Sequence, residues 1–528
     1  MKKNHGLDSR QPIRRWPFAL VGIVSGALLF GAAELISVFF AAAASPVVAI
    51  GSWLIDFSPP AVKDLAIALF GVYDKVALFV FICLVSLLIA TAIGRLAAAW
   101  LPAALALVAA LGLLLVAAVL TRASTGPRDM LPTLFGVLLG LCTLTLLTGR
   151  ARRVANGAPA GNAAEQTAGR GGHTRRDFLR LSSLGLVLAG VMAASGRALS
   201  SAHSTFRATV DQVRLPAPAR RAATLPDDVA VKLAGMPPFV TPNEEFYRID
   251  TALSIPRIDP TTWSLRVHGL VEHEITMDFD QLLGQELVES WVTLTCVSNP
   301  VGGDLVGHAK WLGYPIRELM ARAKPLPQAD MVLSTSHDGF SASTPLAALT
   351  DQRDALLAVG MNGAPLPAEH GFPVRMVVPG LYGYVSATKW VIDLEVTRFA
   401  DKQAYWTTRG WSARGPIKFS SRIDVPRGFA QVPAGDLMLG GTAWAQRSGI
   451  TRVEVQLDGG RWHAAQLAAA AGIDSWRQWS LPVRGLAPGT HTARVRAYDG
   501  SGRLQSEQRA NPVPNGSSGW HEVSFRVT

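Results

Sequence analysis

The chain has 528 residues, 49% hydrophobic and only 17% charged, with three cysteines and a formal net charge of +11. Such a length exceeds one ordinary domain and predicts two or three units. The low charge fraction averages two unlike parts: residues 16–149 are almost unbroken apolar sequence, whereas residues 201–528 read as an ordinary soluble chain. The positive charge implies no nucleic-acid partner, because many basic residues cluster beside the apolar runs, where membrane topology accounts for them.

In chain order, the runs at about 17–43, 73–94 and 96–120 are long enough to cross a bilayer, and a fourth at about 130–148 is slightly short but adequate. Between them, Asp56, Pro59, Pro60 and Lys63 break the stretch 46–71, which predicts an interfacial or re-entrant segment. A fifth span is expected at about 178–199. Lys2, Lys3, Arg10, Arg14 and Arg15 precede the first span, and Arg150, Arg152, Arg153, Arg170, Arg175 and Arg176 precede the fifth. Both clusters belong in the cytoplasm, so five spans leave the polar half on the periplasmic or extracytoplasmic side of the cell membrane. Thr174 to Leu179, TRRDFL, resembles a twin-arginine export signal, (S/T)-R-R-x-F-L; we expect an uncleaved anchor. Residues 16–149 contain no histidine and one methionine, Met130, and the polar half lacks CxxCH, so no haem is expected. Glu34 is the notable charge inside an apolar run and is expected to face polar neighbours.

Residues 201–230, rich in alanine and proline, read as a linker. From 231 to about 415, short β-like runs such as WVTLTCV and TKWVIDLEVTRF alternate with helical pieces such as FDQLLGQELV and YPIRELMARA, an α+β pattern. Beyond about 416 come TRVEVQLDGGRW, HTARVRAYDGSGR and WHEVSFRVT, with alternating apolar positions and Asp-Gly or Gly-Gly turns, which predict an antiparallel sandwich. An alanine-rich patch at 464–471 is the one helical candidate there. His463, His491 and His521 lack metal-ligand spacing and are expected to be core or surface residues.

Cys83 and Cys142 lie in apolar runs, which leaves Cys296, in TCVSNPVGG, as the one thiol of the polar half. A lone thiol in an oxidising compartment is an inert buried group, a nucleophile or a metal ligand. Zinc fits poorly, because no CxxC or HxxxH companion accompanies it. His308, His337 and His370 lack a cysteine-protease signature. The stretch EHGFPVRMVVPGLYGYVSATKW places His370, Arg375, Ser386 and Lys389 along a glycine-rich path suited to an anion, without a Walker loop or GxGxxG.

Taken together, NEEFYRID (243–250), TCVSNPVGG (295–303), AKWLGYPIREL (309–319), SHDGF (336–340), EHGFPVR (369–375), VPGLYGYVSATKW (378–390) and SRIDVP (421–426) resemble the sulfite oxidase-like molybdopterin oxidoreductases. The resemblance spans about 231–528 and implies that Cys296 is the only protein ligand to the molybdenum of Mo-molybdopterin. It further implies that Phe246, Tyr247, Arg248 and Asp250 line the cofactor, that Asp338 binds the pterin, and that His370 and Arg375 take its pterin–phosphate side. Ser386, Thr388 and Lys389 would close the pocket, with Arg248 and either His308 or Trp411 orienting substrate.

The sequence departs from sulfite oxidases at three places: Arg248-Ile249-Asp250 replaces an Arg-Asn-His run, Pro300 and Val301 replace arginines, and Trp411 falls at the active-site tyrosine. The expected activity is oxygen-atom transfer on a small oxyanion such as sulfite, or on a sulfoxide or N-oxide, with electrons passing to a separate carrier. A non-catalytic, membrane-anchored scaffold is the alternative. The expected fold is thus multi-domain: a transmembrane bundle (1–150), a basic loop (151–177), a fifth span (178–200), a linker (201–230), an α+β molybdopterin-binding domain (231–415) and an Ig-like β-sandwich (416–528) through which a homodimer is expected.

Overall fold

The computed structural model describes residues 16–40, 44–59, 62, 69–70, 74–122, 125–155, 175–200, 210–252 and 255–528. The N-terminal basic cluster, Thr174 with the Arg175 side chain, Arg170 and most of the basic loop lie outside the described residues. Two compact units divide the chain, residues up to Ser204 with Ala252–Ser254 in one, and the rest in the other.

In the first unit, helices α1 (Trp16–Ser37), α2 (Pro46–Phe57), α3 (Asp74–Ala99), α4 (Leu101–Leu120), α5 (Leu131–Ala155) and α6 (Arg175–Ser200) follow one another. Among the described residues, all but α2 are long and apolar enough to cross a membrane. The fourth span is longer than its apolar core suggested, because the helix carries on through Arg150, Arg152 and Arg153. The 12-residue α2 fits the expectation of a non-spanning segment.

The first helix, α1, is the hub, and small residues let its neighbours approach. A Cβ at Gly94 of α3 would overlap the Phe18 carbonyl, and one at Gly31 would lie 2.7 Å from the Ala189 carbonyl of α6. Such close backbone contact is the packing that joins apolar helices where no hydrophobic drive acts between them. Glu34 accepts a hydrogen bond from Ser45 Oγ at 2.6 Å, while Ser45 caps α2 by accepting from Val48 N–H at 3.2 Å. The carboxylate therefore ties α1 to the start of α2.

The second unit holds one mixed sheet and one antiparallel sheet, followed by two more. The mixed sheet has the order β2 (Ile275–Asp278), β1 (Ser264–Gly269), β10 (Val391–Thr397), β5 (Met331–Ser336), β6 (Ser341–Pro345), in which β1 and β10 run parallel. The antiparallel one runs β3 (Val288–Thr295), β4 (Val306–Pro315), β7 (Leu356–Met361), β8 (Ala364–Pro365), with β9 (Arg375–Val377) also on β7. Of the predicted helical pieces, YPIRELMARA forms as Ile316–Ala323, whereas FDQLLGQELV is helical only over Phe279–Leu283, opened by a capping box between Asp278 and Gln281, and its Val288 already begins a strand. Part of the predicted linker is docked, since Arg220 bridges Val288 and Ala219 N–H donates to Leu287 O at 2.7 Å.

Beyond residue 416, sheets β11 (Ser420–Val425), β13 (Gly435–Trp444), β17 (Arg477–Leu486), β16 (Gln466–Leu467) and β12 (Gln431–Val432), β19 (His521–Val527), β18 (Gly489–Asp499), β14 (Ile450–Leu457), β15 (Trp462–Ala464) enclose one core, with Leu439 and Trp479 from one sheet and Val453, Val495 and Phe525 from the other. The alanine-rich patch is not helical: Gln466 and Leu467 pair with Ser480 and Trp479, and sheet pairing overrides alanine's helix propensity.

Candidate functional site

Cys296 follows β3 directly, at the start of a loop that returns to β4. Its N–H donates to Leu305 O at 2.9 Å, and Asn299 Oδ1 accepts from Leu305 N–H at 3.0 Å, so the loop closes on itself. The thiol is buried, and burial pushes its pKa up, while Ser298, through backbone and side chain, favours the thiolate. A soft donor with its own hydrogen-bond donors suits a metal ligand.

The thiol lies in the wall of a cleft also lined by Phe246, Tyr247, Asp250 and Asp338. His370, Arg375, Lys389 and Trp411 line it too, so five of the seven quoted motifs converge on one site, while AKWLGYPIREL and SRIDVP contribute no side chain to its lining. Packing explains the convergence. Phe246 stacks on Tyr247 and meets Trp311 edge-on at 5.8 Å, and it covers Gly307, where a Cβ would collide with its ring. Gly371, in the left-handed region at φ +111°, leaves room beside Arg375 and Lys389. Trp390 takes the same rare backbone region, φ 52°, held by its Nε1–H on Ala368 O at 2.9 Å, and so delivers Lys389 to the cleft.

Arg375 is 6% exposed, and its guanidinium donates to the carbonyls of His370 (3.1 Å), Met376 (3.4 Å) and Ala387 (3.5 Å). Among the described residues no carboxylate pairs with it. Burial lowers its pKa to about 10. Beyond those carbonyls its guanidinium meets the Trp311 ring face, at 5.0 Å, and a buried cation so held is costly unless an anion joins it. Lys389 Nζ donates to Asp250 Oδ2 at 2.7 Å, and burial lowers its pKa to about 8 despite that carboxylate. His370, whose Nε2 meets Asn243 O at 2.8 Å, is held neutral, its pKa lowered to about 4 by burial and then by Arg375. This donor set fits the phosphate of a pterin cofactor beside a thiolate ligand.

Four of the residues expected at the site stand elsewhere. Arg248 is drawn aside by Asp250, Nε to Oδ2 at 2.8 Å, and stays off the cleft wall. Ser386 donates to Tyr382 O at 3.0 Å, and Thr388 bonds Ser334 at 2.7 Å; both lie behind the wall. His308 is fully buried in the core, its Nδ1 bonded to Thr293 Oγ1 at 3.0 Å and its ring among Phe239, Trp291 and Trp476. It cannot orient substrate from there.

The sequence reading missed Tyr384 and Trp406, which wall the mouth with Trp411. Tyr384 OH donates to Ser412 O at 2.6 Å, and burial pushes its pKa up to about 12, so the phenol stays neutral and holds the Trp411 segment. Its place in GYVSAT was the available signal.

Burial lowers the pKa of His308 to about 3 and of His521 to about 4, as it does His370. Each of these histidines binds its proton in the unfolded chain below about pH 6.5 but not in the folded one, so stability is complete above that pH and is lost as pH falls towards 4. The urea midpoint of the full chain in detergent, followed by tryptophan fluorescence, is expected to drop between pH 7 and 4.5, at up to about 1.4 kcal/mol per histidine per pH unit. An unchanged midpoint would mean that these rings are hydrated.

Residues 252–406 match the family described as oxidoreductase molybdopterin binding domain. Sulfite oxidase of Gallus gallus is 30% identical over 336 residues, covering 54% of this chain and 72% of that protein. The mitochondrial sulfite oxidase of Rattus norvegicus is 28% identical, over 55% of this chain and 62% of its own length. A crystal structure of the sulfane dehydrogenase SoxCD from Paracoccus pantotrophus, 21% identical, aligns over 62% of this chain and 94% of that one with a TM-score of 0.49.

The family match and the likeness to Gallus gallus sulfite oxidase define a molybdenum-dependent oxidoreductase whose cofactor is Mo-molybdopterin. The chain belongs to the sulfite oxidase-like molybdopterin oxidoreductases. The scaffold alternative is thereby set aside.

Proposed function

We propose that this chain is a membrane-anchored oxidoreductase that carries out oxygen-atom transfer at a molybdenum held by Cys296, with its catalytic half outside the cytoplasm. When bound, Mo-molybdopterin supplies the two-electron oxygen exchange. Arg375, His370 and Lys389 hold the cofactor's phosphate side, Asp338 its pterin, and the aromatic mouth excludes water from the reacting end. Residues 231–415 form the cofactor domain and 416–528 an Ig-like sandwich, the natural place for a homodimer contact. Electrons pass to or from a separate carrier, a reading supported by the missing haem-ligand patterns.

Within oxygen-atom transfer, an uncharged sulfoxide or N-oxide fits better than sulfite. The charge of the cleft carries this reading: its lining cations are Arg375 and Lys389, its carboxylates Asp250 and Asp338, and His370 is neutral. A bound phosphate dianion leaves the cleft negative, and Trp406, Trp411 and Tyr384 offer a sulfite dianion no cation in return. The loaded chain is expected to reduce dimethyl sulfoxide or trimethylamine N-oxide with kcat/KM at least about tenfold above that for sulfite oxidation. The reverse order, in dye-linked assays, would return the assignment to sulfite.

A further inference from the structure

We propose that the C-terminal sandwich sets the geometry of the cysteine loop, with Arg422, Ser517 and His521 acting as positioning residues for Cys296. This rests on the reading of Cys296 as the metal ligand.

The loop from Cys296 to Leu305 is closed by its own hydrogen bonds, Asn299 N–H to Cys296 O at 3.1 Å among them, but those bonds are internal. They fix its shape and not its placement. Placement comes from three side chains more than 100 residues away, on different parts of the sandwich. Arg422 on β11, 7% exposed, donates from Nη1 to Gly303 O at 2.7 Å. Its own orientation is set by Asp424, at 2.7 Å from Nε, and Asp424 in turn accepts from Thr442 Oγ1 at 2.9 Å. Ser517 Oγ donates to Asn299 O at 2.7 Å. His521, at the start of β19, lies against Gly302, where any Cβ would overlap the ring and where φ is +80°. The Nδ1 of that ring accepts from Ile423 N–H at 3.0 Å, which places its proton on Nε2 and fixes the ring.

Two carbonyls and a glycine face within five residues are thus held at three points around the cysteine turn. A metal ligand displaced by a fraction of an ångström loses much of its function, so a loop carrying two glycines needs such support. The sandwich has no chemistry of its own at the cleft, yet it decides where the thiol sits.

The test uses the full chain in detergent with Cys83→Ser and Cys142→Ser, because both of those thiols are exposed. In the cofactor-free chain, the rate of Cys296 alkylation by iodoacetamide reads the loop directly. Arg422→Ala, Ser517→Ala and His521→Gln are each expected to speed it at least about fivefold. Arg422→Lys, which keeps a donor, is expected to restore most of the protection. Arg452→Ala, on the Glu454 face of the sandwich away from the loop, serves as the control for general loosening and should leave the rate unchanged. In the loaded chain, the same three variants should shift the thiolate-to-molybdenum absorption band and lower kcat more than they raise KM.

Alkylation rates and bands in Ser517→Ala and His521→Gln equal to those of Arg452→Ala would overturn the proposal. Ser517→Ala removes a single oxygen, so it keeps the test decisive should Arg422→Ala not fold. If Cys296→Ala still binds molybdenum, the ligand reading fails, whereas the alkylation rates report the clamp in either case.

Discussion

Cys296→Ala is expected to abolish oxygen-atom transfer, lowering kcat by at least about 1,000-fold, roughly 4 kcal/mol of barrier, with little change in stability. The asymmetry follows from the site. The side chain is one small sulfur group at the head of β3, buried among residues that hold their own positions, so truncation costs about 1 kcal/mol of folding energy. In the proposed role of metal ligand it would have no substitute: among the described residues no group of three or more His, Cys, Asp or Glu converges to hold a metal. Cys296→Ser separates ligand softness from ligand presence, because a hydroxyl keeps the shape and loses the thiolate. Dye-linked turnover, molybdenum content by elemental analysis and the urea midpoint, measured on one preparation, check all three terms. Retained turnover in the alanine variant would remove Cys296 from the chemistry altogether.

The residues that proved legible in the sequence were those in short runs where several groups act together. NEEFYRID, the cysteine loop, SHDGF and HGFPVR each bring at least one side chain to the cleft. Less legible was the direction of each side chain. In β4 nearly every residue is buried on both faces, so alternation gave no sign that His308 turns into the core and not to the cleft. Arg248 was lost to the site by its own neighbour, since Asp250 captures both it and Lys389. The aromatic wall was hidden because Tyr384 and Trp406 look the same in sequence as packing residues. The clamp on the cysteine loop was hidden by distance: Arg422 stands in the SRIDVP run and Ser517 in no local pattern, and only the tertiary contact of sandwich and loop shows what either holds. The long apolar helices were read most directly, because an apolar run of bilayer length satisfies its backbone as a helix whatever its partners are.

Arg375 and Lys389 give the second large effect, and they can be told apart by pH. Arg375→Met is expected to cut the molybdenum retained through purification to about a tenth or less, equivalent to at least 1.4 kcal/mol of binding. Cofactor-free stability should change by less than about 2 kcal/mol, because losing an uncompensated buried charge offsets the carbonyls left without donors. Lys389 keeps its charge only below about pH 8. In the cofactor-free chain its lowered pKa means that the unfolded state binds the extra proton between about pH 8 and 10.5, so stability rises with pH across that window. Anion binding runs the other way. In its proposed role the ammonium would face the cofactor's phosphate, and it is present at pH 7 and largely lost at pH 9, so the metal retained after gel filtration should fall over that interval. Lys389→Gln should start lower at pH 7 and remain flat. If the wild-type chain holds its molybdenum equally at both pH values, Lys389 serves Asp250 alone, and the phosphate rests on Arg375.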